Sequence, residues 1–65
     1  GAPQFTVVSE EDGAPVAELL ADMALPTDGM GQFDAINAAN SLTQSLDIAG
    51  SFTVVPVSAA LEAAA

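Results

Sequence analysis

The chain of 65 residues contains no lysine, arginine or histidine, no cysteine, and neither tryptophan nor tyrosine. Without a cationic side chain, its nine aspartates and glutamates leave a net charge of −9. No salt bridge can form inside it except to the N-terminal amine. Each carboxylate must therefore be solvated, capped by backbone N–H groups, held by a metal or met by a basic partner. Charge of one sign repels phosphate, which argues against nucleic acid and anionic membrane surfaces as partners and for a basic protein surface or a cation-rich medium. The missing cysteine and histidine exclude disulfides and the usual zinc ligand sets. With lysine, arginine and tyrosine also absent, so are the common catalytic bases, nucleophiles and oxyanion-stabilising cations. A hydrolase built on paired carboxylates would need a cleft with sugar-stacking aromatics, and the aromatic set here is three phenylalanines. The expectation is a protein that is not an enzyme and uses no cofactor. No apolar run approaches the length of a membrane-spanning helix, and no basic stretch precedes an apolar one as in a secretory signal.

What the chain has in quantity is apolar surface: 51% of its residues are hydrophobic and its mean hydropathy is positive. A domain of this length buries only about 60% of the surface that its unfolded chain exposes. With disulfides and zinc excluded, association with other subunits is the remaining route to stability. The sequence reads as a single small domain, residues 1–65, completed by an assembly.

The pattern predicts an α+β fold of two short strands and two or three helices. "QFTVVS" (4–9) has the aromatic and β-branched residues of a strand. "EEDGAP" (10–15) is a turn, with Gly13 free to take positive φ and Pro15 suited to a helix start. A helix over 15–25 places Val16, Leu19, Leu20 and Met23 on one face and Glu18 and Asp22 on the other. "PTDGMG" (26–31) ends it. A second helix over 32–49 points Phe33 and Ile36 one way and Ala35, Ala39, Leu42 and Leu46 the other. Either one helix is covered on both sides, or the chain breaks at Asn40 and restarts with Ser41 and Gln44 as a capping box. Gly50 suits the position after a helix end. "SFTVVPV" (51–57) is the second strand, with Pro56 at an edge. Ser58 can cap a last helix over 58–64, too short to hold without docking.

The phrase "FTVV" occurs twice, at 5–8 and 52–55, each time ahead of an alanine-rich segment. A duplication explains this, and so does the shared vocabulary of strands and alanine-rich helices. The two strands can pair with each other or with copies in adjacent subunits. A two-stranded sheet alone is marginal in water, and strand addition across subunits would bury its edges. "FTVVPVSAALEAAA" (52–65) resembles the opening strand and helix of fasciclin-type adhesion domains, with the proline displaced by one and the Asp and second Phe of that pattern missing. No function is carried over from this resemblance.

Glu10, Glu11 and Asp12 gather three carboxylates beside Gly13. The alternating spacing and closing glutamate of an EF-hand are absent, so the segment reads as a solvated turn with its acids near a helix N-terminus. These three are the candidates for a hard cation, or for contact with a basic partner. "DGMG" (28–31) looks like a phosphate-cradling loop but follows a helix and lacks lysine, and reads as a turn between helices.

The expected function is that of a non-enzymatic structural subunit in a virion or extracellular setting. Its most concrete form is a decoration, cement or minor capsid protein. Phe5, Val7, Phe33, Ile36, Phe52 and Val54 are the candidate contacts to neighbouring subunits. The alternatives are an acidic binding module that masks a basic protein surface, as an inhibitor or nucleic-acid mimic does, and a subunit of an extracellular filament.

Overall fold

The computed structural model describes residues 3–64, with the side chains of 61–64 outside the description. Strand β1 is Phe5–Ser9 and strand β2 is Phe52–Pro56, paired antiparallel in a two-stranded sheet. The doubled phrase is thus paired with itself inside one chain. Val7 stands opposite Val54, Thr6 opposite Val55, Val8 opposite Thr53, and Phe5 and Ser9 face Pro56 and Phe52. The third residue of each five-residue strand meets the third of the other, so the ribbon has a local two-fold axis at Val7–Val54.

Hydrogen bonds beyond the strand ends fix which groups point where. The Val57 N–H donates to the Gln4 carbonyl and the Glu10 N–H to the Ser51 carbonyl, both at 2.9 Å. The two-residue alternation of an antiparallel ladder then gives the intervening bonds to the Thr6–Val55 and Val8–Thr53 pairs. Phe5, Val7 and Ser9 turn their backbone groups to the far side of β1, and Phe52, Val54 and Pro56 turn theirs to the far side of β2. Pro56, expected at an edge, has its missing N–H on that open side.

The two outer sides differ. Beyond β1, Phe5 exchanges both backbone bonds with Met30, at 2.8 and 2.9 Å. Further along, the Ser9 N–H donates to the Ala14 carbonyl at 2.9 Å as Pro15 comes alongside Val8. β1 therefore lies between neighbours on both sides, and Thr6, Val7 and Val8 are buried. Among the described residues β2 has β1 alone beside it, and the equivalent Thr53 is exposed while Val54 and Val55 are half-buried. The same four residues occupy a central strand once and an edge strand once.

Helix α1 is Ala17–Asp22, shorter than the expected 15–25. Its start is delayed because Pro15 is engaged beside Val8. Its end is a Schellman motif: the Leu25 N–H reaches back to the Leu20 carbonyl at 2.8 Å and the Ala24 N–H to Ala21 at 3.0 Å. Ala24 sits at φ +58, in the left-handed position usually given to glycine. Leu25 packs against the cluster that holds Leu20, and Pro26 follows.

Helix α2 is Gln32–Gln44 and runs unbroken through Asn40 and Ser41, so the capping box is not used. Ala35, Ala38, Ala39 and Leu42 form its buried face. Three alanines in that stripe let the helix backbone approach the sheet closely, over Val7 and the half-buried Phe5, Phe52 and Val54. The helix ends five residues short of the expected 49, because the chain must turn back to enter β2. Ser45 is extended, Leu46 swings wholly into solvent, and Ile48 packs on the core where the helical pattern assigned Leu46. Gly50 lies in this return loop, at φ +116, and is not a helix end. Helix α3 is Val57–Ala64 and follows β2 without a linker. It meets both strands, and its Ala60 is buried. Among the described residues no helix is long and apolar enough to cross a membrane.

Candidate interaction surface

The candidate contact residues separate into three environments. Val7 is fully buried in the chain's own core, so its side chain has no surface to offer a partner. Phe5, Phe52 and Val54 pack against that core from its margin and stay half-buried, since strand alternation turns them to the α2 side of the sheet. Phe33 and Ile36 stand in solvent on α2, 80% and 39% exposed. They lie three residues apart, which makes them neighbours on one helix face. Two apolar side chains outside the predicted set are also exposed, Met23 at 39% and Leu46 at 102%. Helical periodicity had turned both inward. The left-handed Ala24 and the extended Ser45, which carry no strong local signal, end the helices and turn them out.

The flanks of α2 are distinct. A shallow groove of about 250 Å³ runs between α2 and the segment after α1, lined by Met23, Leu25, Pro26, Met30, Asp34 and Asn37 among others. Met30 places this flank on the β1 side of the sheet. At about 100° per residue, Ile36 lies on the flank away from this groove.

The eight acids whose side chains are described, Glu10, Glu11, Asp12, Glu18, Asp22, Asp28, Asp34 and Asp47, are all exposed. Glu10, Glu11 and Asp12 occupy the turn after β1. The Asp12 carboxylate accepts the Ala14 N–H at 3.0 Å, and Gly13, at φ +71, donates its own N–H to the Ser9 carbonyl at 2.8 Å. This is a self-satisfied Asx-type turn. Among the described residues no three carboxylates, Glu10, Glu11 and Asp12 included, converge on a point where an ion could sit. "DGMG" is a packed turn. Gly29 has φ +129, and a Cβ there would come within 3.0 Å of the Gln4 Cβ and 3.1 Å of the Val57 Cγ2. Its glycine serves close approach of the chain.

No protein-family model matches the chain, and no curated protein or solved structure is significantly similar to it. The surface itself is what remains to be interpreted. It consists of apolar side chains on the outer face of α2, an unpaired strand side along β2, and carboxylates around them.

Proposed function

We propose that the chain is a non-enzymatic assembly subunit held to neighbouring protein subunits by apolar contacts, with a decoration or cement role in a virion as its most concrete form. The observation that carries this reading is Phe33, 80% exposed one helical turn from the half-exposed Ile36. Burying a phenylalanine side chain is worth about 1.5–3 kcal/mol. A chain that can bury only part of its surface forgoes that gain unless a neighbour supplies the cover. The absence of His, Cys, Lys, Arg and Tyr supports adhesion over catalysis. A filament subunit would use the same chemistry.

A second reading is supported by the eight exposed carboxylates in a chain without cations: an acidic module that masks a basic protein surface. Salt separates the two, because contacts made by carboxylates weaken steeply toward physiological ionic strength and apolar contacts do not.

Light scattering on the eluting protein, with thermal melting across a range of concentrations, tests the assembly reading. The expected result is a mass above the 6.4 kDa of one chain and a Tm that rises with concentration. A sharply melting single chain whose Tm ignores concentration overturns it.

A further inference from the structure

We infer that the open side of β2 is the self-association edge of this protein, and that its occupant is β2 of a second copy, joined antiparallel across a two-fold axis into a four-stranded sheet. This rests on the assembly reading and adds to the apolar face of α2 a second surface through which copies would join.

Three observations lead there. The first is backbone geometry. β1 has its outer side flanked at its two ends by Met30 and Pro15, whereas among the described residues the sheet stops at β2. The N–H groups of Phe52 and Val54 face that side, and no backbone group among the described residues accepts from them. A β2–β2 junction therefore pairs this side of each copy in a single isologous contact. The second is charge. Residues 48–61 contain no carboxylate and form the longest such run in a chain of net charge −9. A second copy carries the same charge, and this neutral strip is where two copies approach with least repulsion. The third is the strand phrase itself. β2 already pairs through its inner side with a strand of its own sequence, "FTVV" against "FTVV" about a two-fold axis, so its side chains suit an antiparallel neighbour of that composition.

The register follows from the donors. With Thr53 opposite Thr53 of the second copy, Phe52 and Val54 of each chain exchange bonds with Val54 and Phe52 of the other, and all four N–H groups are used. Pro56, which has no N–H to give, then falls opposite Gly50 of the second copy. Side chains keep their faces, because directly opposed residues of an antiparallel pair point to the same face of the sheet.

Two variants test this on the intact chain. Thr53 is exposed, so its replacement leaves the core untouched. The protein has no cysteine, which makes Thr53→Cys a clean probe. A non-hydrogen-bonded pair sets its Cα atoms about 4.5 Å apart, within the range a disulfide spans. Thr53→Cys should give a covalent dimer under mild oxidation far faster than Ala17→Cys, an exposed position on α1. Thr53→Glu places like charges face to face and should weaken dimerisation by about fivefold, read by sedimentation equilibrium. Added salt should tighten the wild-type dimer, since it screens repulsion between the two copies. Self-association in which Thr53→Cys links no faster than the control and Thr53→Glu has no effect overturns this edge but leaves the assembly reading standing. A chain that stays monomeric at every salt and protein concentration overturns both.

Discussion

Replacing Ala24 by glycine should stabilise this protein, although glycine usually weakens what it enters. Ala24 sits at φ +58 as the residue after the end of α1, with its N–H bonded to Ala21 and the next N–H bonded back to Leu20. An L-residue in that left-handed position carries about 1–2 kcal/mol of strain from its Cβ against the following carbonyl. Glycine has no Cβ but loses more backbone freedom on folding, about 0.5–1 kcal/mol. The Ala24 methyl group is exposed, so little packing is lost. The difference is a gain of about 0.5–1 kcal/mol, or a Tm higher by about 3–6 °C for a domain of this size. Far-ultraviolet circular dichroism is the natural assay, because the chain has no tryptophan or tyrosine to report by fluorescence. Protein concentration is held fixed so that association does not move the midpoint. Ala21→Gly is the internal control. It is equally exposed but lies inside α1, and should cost about 0.5–1 kcal/mol by ordinary helix propensity. Opposite signs for two Ala→Gly changes three residues apart are the signature of the Schellman end. If Ala24→Gly lowers the Tm as Ala21→Gly does, the left-handed conformation assigned to Ala24 is wrong.

Gly29→Ala should destabilise by about 2 kcal/mol or more in chemical denaturation, because the new Cβ meets Gln4 and Val57 and the backbone is at positive φ. An effect under about 0.5 kcal/mol would contradict that close approach. Leu42→Ala, at a fully buried site on α2, should cost about 2–5 kcal/mol. Phe33→Ser on the opposite face should stay within about 0.5 kcal/mol in folding while weakening association. Equal losses from the two would mean that Phe33 is covered by its own chain. Raising ionic strength from about 0.01 to 1 M shortens the screening length from about 30 to 3 Å. Because carboxylates repel one another with no cation to offset them, the Tm should rise across that range. A flat response would show that the carboxylates are too dispersed to strain the fold.

Much of the architecture was legible from local pattern. "FTVV" could be read twice as strand, because β-branched and aromatic residues suit a pleated surface wherever they are placed. The opposed faces of α2, Phe33 with Ile36 against Ala35, Ala39 and Leu42, followed from the helical period, and the structure keeps them opposed. Periodicity failed at the helix ends. Leu46 continues the buried stripe in sequence, but chain reversal toward β2 is a tertiary demand and sends it into solvent, with Ile48 taking its place. α1 stops early at an alanine that takes a glycine's conformation, which no residue preference announces. Among the candidate contacts, Val7 and Val54 hold the same place in identical phrases, yet one is sealed in the core and the other half-open.

The sequence by itself determined what chemistry is out of reach. A chain with no cationic side chain and no thiol can build neither ion pairs between its side chains nor disulfides, whatever shape it takes. It also determined the periods of its strands and of its longest helix, which are local properties of side-chain shape and polarity. Only the tertiary structure decided which copy of "FTVV" became the central strand and which was left with an open side. Burial is conferred by neighbours, and Met30 and Pro15 came to rest against the first copy and not the second.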